Sequence, residues 1–165
     1  MRFSLIDRIV KLEKGKTITA VKNLTMAEEY LADHFPGFPV MPGVLMLESL
    51  VQAGAWLMRA TEDFRWSTIL LKEARAVRFN SFVVPGKTLT VTVNVHRWEG
   101  NLCVLKGAGA VDDTATVNAR LTLEQFNLRD RNPDLAPSDE MRVARMRELF
   151  DQLWTARDAP GERAG

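Results

Sequence analysis

His34 and Glu48 are the two side chains of this 165-residue chain whose types and surroundings suit proton transfer. An imidazole changes charge near neutral pH and serves well as a general base. Glu48 stands in the run VLMLESLVQAGAWLMRA, where almost every neighbour is apolar. Burial disfavours an ionised carboxylate, so a carboxyl group kept protonated there can act as a general acid. A base and an acid held in different protonation states are what acid–base chemistry on one substrate needs. Gly43 adds a third group. The N–H groups of a first helical turn have no intrahelical partner and favour developing negative charge. With no side chain at Gly43, a carbonyl can approach that backbone closely. Gln52 lies one turn beyond Glu48 on the same helix face and reads as its support.

Composition excludes several other chemistries. The chain has two histidines and one cysteine, so an internal disulfide, a three-histidine zinc centre and a Cys-rich zinc site cannot be built from it. Basic and acidic residues number 22 and 21, for a net charge of +1, without the basic excess of a nucleic-acid binder. No apolar run reaches the roughly 18 residues of a membrane-spanning helix. The start, MRFSLIDR, lacks the apolar stretch of a secretory signal. The expectation is a soluble cytoplasmic protein. His96 falls on the polar face of its strand and reads as solvated surface. Cys103 reads as a small core residue.

The elements that must position His34, Gly43 and Glu48 follow from spacing. Val-, Ile- and Thr-rich residues on either side of Gly15 predict two strands joined by a turn. Thr25–Glu28 has capping-box spacing and predicts a short helix through about Ala32. HFPGFPVMPG, with prolines at 36, 39 and 42, predicts an ordered, extended loop. A helix of apolar faces then runs from about Gly43 to Ala60. Residues 66–79 predict a strand pair or one long bent strand, and three antiparallel strands follow to about Leu123. A polar, Pro-punctuated linker over 127–137 leads to a last helix opening at Ser138-Asp139-Glu140. Its apolar stripe is Met146, Leu149, Phe150, Leu153 and Trp154, and a disordered tail is expected from about Asp158. The sum is an α+β arrangement with a sheet wrapped around one helix. The predicted division is residues 1–126 as one folded unit and 127–165 as linker, helix and tail.

The string DHFPGFPVMPGVLMLESLVQ closely resembles the active-site segment of the 3-hydroxyacyl-[acyl-carrier-protein] dehydratases of fatty acid synthesis. Glu48 matches the FabZ type rather than its isomerising relative, which has aspartate there. LIDR at 5–8, VKNLT at 21–25, VRF at 77–79 and VVPG at 83–86 resemble family segments in the same order. The resemblance implies a hotdog fold with an antiparallel sheet around a long central helix. It implies a homodimer whose sheets join, with dimers assembling further into a hexamer as a trimer of dimers. It also implies sites that take histidine and glutamate from different subunits. His34 would remove the C2 proton of a 3-hydroxyacyl thioester, Glu48 would help the C3 hydroxyl leave, and the Gly43 N–H would hold the thioester carbonyl. No metal and no cofactor would be required, and the partner would be an acyl carrier protein. Carrier proteins are acidic, so Lys72, Arg75, Arg78 and Lys87 are candidate docking charges, with ordinary solvated surface as the other reading. Asp33 stands where the family carries glycine, and either supports a charged His34 or merely caps. A hotdog thioesterase and a non-catalytic subunit of a specialised lipid or polyketide pathway are the competing functions.

Overall fold

Six strands and two helices form from the alternating and helical apolar patterns, as seen in a computed structural model that describes residues 4–154. The strands are β1 (Arg8–Glu13), β2 (Thr17–Asn23), β3 (Thr68–Phe79), β4 (Thr88–Glu99), β5 (Leu102–Val111) and β6 (Thr114–Phe126). The helices are α1 (Gly43–Thr61) and α2 (Ala136–Leu153). One sheet has the order β1-β2-β4-β5-β6-β3, and every neighbouring pair is antiparallel. Period-two alternation sends Ile18, Ala20, Leu89, Val91, Val93 and Leu121 to the face that α1 covers, and all are fully buried. Leu50, Ala53 and Leu57 of α1 meet them. The approach is close. A methyl group at Gly54 would lie 2.6 Å from Leu105 Cδ1, and one at Gly107 would lie 3.1 Å from Leu50 Cδ1.

Gly15, with φ of +74°, makes the predicted first turn. Residues 68–79 form the single bent strand, with register shifts between Leu71 and Glu73 and between Arg75 and Arg78. Asp112 and Asp113 both take positive φ, at 47° and 64°, as a two-residue hairpin turn requires.

Five expectations are corrected. The predicted helix after Thr25 is only a 3-10 turn, Glu29–Ala32, with no side-chain cap. The carboxylate of Glu28 lies instead 2.7 Å from the buried Lys22 ammonium, which also has Asp7 at 3.5 Å. A buried amine needs those charges more than a short helix needs a cap. The Pro-rich loop is ordered but folded back rather than extended. Phe35 and Phe38 exchange backbone hydrogen bonds of 3.1 and 2.9 Å around Gly37 at φ +79°.

The segment after Phe126 is not an open linker. Two 3-10 turns, Leu128–Asp130 and Pro133–Leu135, run directly into α2, which starts at Ala136 rather than Ser138. Asp139 is 1% exposed and accepts from the backbone N–H groups of Leu128 and Arg129, the Arg129 guanidinium and the Ser67 hydroxyl. The helix ends at Leu153, so Trp154 lies beyond it and forms an isolated parallel bridge with Ile9. The tail expected to be disordered from about Asp158 lies outside the described residues.

Candidate functional site

The folded-back loop fixes the His34 ring. Its Nδ1 lies 2.9 Å from the Val40 carbonyl, and the Val40 N–H donates to the His34 carbonyl at 3.0 Å. A carbonyl only accepts, so Nδ1 carries a proton, and in the neutral ring Nε2 is the nitrogen with the free lone pair. The Phe35 ring stacks on the imidazole with centroids 3.9 Å apart, and the peptide between the two residues is cis. Phe38 meets Phe82 edge-on at 5.7 Å. Phe35, Phe38 and Phe82 are all more than half exposed and form an aromatic rim beside the half-buried His34. Asp33 is exposed and caps the preceding 3-10 turn. Among the described residues it forms no ion pair with His34.

α1 carries the remaining groups. Pro42 is its N-cap residue, and the Pro42 carbonyl accepts from Leu45 and Met46. The N–H groups of Gly43 and Val44 precede the first intrahelical bonds and point out of the helix end. The Phe79 ring lies over Gly43, where a Cβ would sit 3.1 Å from it. One turn on, Gln52 Nε2 donates to Glu48 Oε1 at 3.0 Å, and Gln52 Oε1 accepts from the Leu5 N–H at 3.0 Å. Gln52 thus links the Glu48 carboxyl to the backbone at Leu5. Leu5 precedes β1 and is buried.

Glu48 opens onto a cavity of about 660 Å³. Gln52, Trp56 and Arg59 continue the α1 wall, while Met141, Met146 and Leu149 of α2 form part of the opposite wall. His34 is not among the residues that line it. A single chain therefore brings Glu48 and Gln52 together and leaves His34 outside their cavity. Of the four candidate docking cations, Lys72 lies 3.8 Å from Glu124, Arg75 2.7 Å from Glu73 and Lys87 2.6 Å from Asp112. Arg78 has no ion pair among the described residues. His96 is exposed, and the positive charge of Lys106, ahead of Arg97 and Arg120, pushes its proton affinity below the ordinary histidine value. Cys103 is buried, and burial pushes its thiol up to about 12.

Sequence reasoning missed two parts of this site. The Val40 carbonyl is a backbone group with no residue-type signal. The contribution of α2 to the cavity was half-visible, since Met146 and Leu149 stand in the predicted stripe, but periodicity does not say which surface a stripe meets.

The family model described as a FabA-like domain matches residues 1–120. The FabZ 3-hydroxyacyl-[acyl-carrier-protein] dehydratase of Levilactobacillus brevis is 38% identical over 117 residues, which cover 71% of this chain and 79% of that protein. The protein of the same name from Clostridium kluyveri is 35% identical over 130 residues, covering 79% of this chain and 88% of that one. Among solved structures, the dehydratase heterocomplex ApeI:P of Xenorhabdus doucetiae aligns with a TM-score of 0.65 at 17% identity, over 81% of this chain and 90% of that one. That likeness places the wrapped helix and sheet in the hotdog fold, and the sequence relatives place the chain more finely. It belongs to the FabA-like family, with the FabZ 3-hydroxyacyl-[acyl-carrier-protein] dehydratases.

Proposed function

We propose that this chain is a hydro-lyase that dehydrates (3R)-3-hydroxyacyl chains on an acyl carrier protein to trans-2-enoyl chains. The observation that carries the reading is the Nδ1–H bond from His34 to the Val40 carbonyl. In the neutral ring this bond leaves Nε2 as the free, oriented acceptor, which is the form a general base needs. His34 Nε2 takes the C2 proton. The Gly43 N–H donates to the thioester carbonyl as negative charge develops there. Glu48, oriented by Gln52, gives its proton to the C3 hydroxyl, the C3–O bond breaks, and water leaves as the C2–C3 double bond forms. A thioesterase would need an activated water rather than a base aimed at carbon, and nothing in the His34 geometry favours it.

The site is completed in a homodimer, with His34 of one protomer facing Glu48 of the other. Two features support that assembly. His34 is absent from the Glu48 cavity of its own chain. The edge strand β3 is twelve residues long and exposes Leu70, Leu71 and Phe79, and an uncovered apolar edge is a surface that proteins ordinarily pair or cover. Arg78, with Lys72, Arg75 and Lys87, receives the acidic carrier. Residues 1–126 form the catalytic unit, and 127–165 append to it.

His34→Ala and Glu48→Gln each remove a group worth ~10²- to 10⁴-fold, so enoyl-thioester hydration by either homodimer should fall to background. Refolding an equal mixture of the two variants discriminates the assembly. With composite sites, mixed dimers carry one intact site, and activity should return to about a quarter of the wild-type level. No recovery in the mixture overturns the shared site. Wild-type rates in either variant overturn the dehydratase reading.

A further inference from the structure

We propose that the cavity beside Glu48 is an acyl subsite walled by α2, and that it selects chains whose far end carries a carboxylate. The inference rests on the dehydratase reading, which puts the thioester at the N-terminal end of α1 and C3 at Glu48. The chain beyond C3 then runs along Gln52 and Trp56 toward Arg59. Eleven residues separate Glu48 from Arg59, or about 16 Å of helix, which suits a chain of medium length. Ile69 and the α2 residues Met146, Leu149 and Leu153 give the middle of this path apolar walls.

The far end has a different character. Arg59 lines the cavity, and its Nε is buried with no hydrogen-bond partner among the described residues. Among the described residues no carboxylate pairs with it, and its guanidinium lies 5.5 Å from the Trp56 ring centre. Burial lowers its proton affinity to about 10, so it stays charged at neutral pH. Arg142 and Arg145, both exposed on α2, line the same cavity. Among the described residues Glu48 is the sole acid in that lining. A cation in the last turn of a helix complements its dipole. That accounts for a basic residue at 59 but not for a buried N–H without an acceptor. A methyl-terminated chain would desolvate the guanidinium further and leave the donor unpaired. A terminal carboxylate supplies both charge and acceptors, in the paired geometry that guanidinium groups favour.

The test compares 3-hydroxydodecanoyl-pantetheine with 3-hydroxydodecanedioyl-pantetheine, chains of equal length that differ only in the far end. Turnover of each is followed by mass spectrometry. Binding of their non-reactive amide analogues is followed by titration calorimetry on the full chain. The intact protein should bind the dioic analogue about tenfold more tightly, with kcat/KM following. Arg59→Met should reduce that ratio to below about threefold, while Arg59→Lys, which keeps the charge, should retain most of it. The exposed pair Arg142→Ala and Arg145→Ala should lower the ratio without unfolding the chain, and decides the matter if Arg59→Met does not fold by circular dichroism. Equal binding of the two analogues by the intact protein overturns the inference even if both thioesters are dehydrated. So does an Arg59→Met variant that folds and weakens both alike. If neither thioester is dehydrated but the dioic analogue is preferred and the preference needs Arg59, the subsite stands and the dehydratase reading falls.

Discussion

His34 is tied to its own loop twice, through its ring and through its backbone carbonyl, and both bonds go to Val40. The histidine could be singled out from sequence because imidazole is rare in this chain and stands in a Pro-rich string. The group that fixes its tautomer could not, because every residue has a carbonyl and only the folded loop selects one. Glu48 shows the same split. Its apolar setting was legible, whereas its link through Gln52 to the Leu5 N–H joins residues 47 apart in sequence. Replacing Gln52 with Leu leaves that buried N–H unpaired and frees the Glu48 carboxyl to rotate. Stability should fall by about 1–3 kcal/mol in urea titration, and kcat should fall by about tenfold with KM little changed. Asp139 stands at the predicted helix start, where spacing gives no sign that it is a buried acceptor. Burial alone would raise its proton affinity; the hydrogen bonds from Ser67, Arg129 and Leu128 outweigh that and hold the carboxyl well below the usual carboxylate range. A depressed value in the folded chain favours folding above the unfolded value of about 3.9, and the benefit is lost as pH falls through the folded value. Urea titrations from neutral pH down into the acid range should therefore show the wild type losing stability on acidification. Asp139→Asn should start less stable at neutral pH and lose less.

α1 and the sheet were the most legible elements, because sustained periods of 3.6 and 2 leave few alternatives. Short elements failed for a stated reason. The turn after Thr25 lost its cap to Lys22, which the alternation of β2 carries to the same inward face as Ile18 and Ala20, and pairing that buried charge outweighed the local capping signal. The α1–sheet spacing is set by small residues on both sides. Gly54→Ala weighs two opposing effects. Helix propensity gains up to about 1 kcal/mol, while a methyl forced to 2.6 Å from Leu105 Cδ1 costs about 1–3 kcal/mol by overpacking. The second should win, because Leu105 is fully buried and has no room to yield. A thermal unfolding midpoint several degrees lower checks this, and an unchanged or raised midpoint would show that the leucine can move.

At the scale of the molecule, α2 is docked rather than tethered. Phe150 lies 6.0 Å from the Trp56 ring and 5.3 Å from the Phe64 ring, Arg147 meets Asp63, and Asp139 anchors the first turn beneath Ser67. Sequence showed a stripe at the right spacing but not its destination, because the stripe meets α1 some ninety residues earlier in the chain. If α2 folds with the rest, Phe150→Ala should lower the stability of the whole chain by about 3–5 kcal/mol in one transition, seen alike by far-ultraviolet circular dichroism and by tryptophan fluorescence. A second, separate transition would mean that α2 melts by itself. The division of labour along the chain has an evolutionary consequence. The loop and helix that carry His34, Gly43 and Glu48 lie before residue 62, whereas one wall of the Glu48 cavity is encoded after residue 135. Substitution or exchange of that last stretch reshapes the room beside Glu48 while leaving His34, Gly43, Glu48 and the sheet beneath them untouched, so selection can alter one without renegotiating the other.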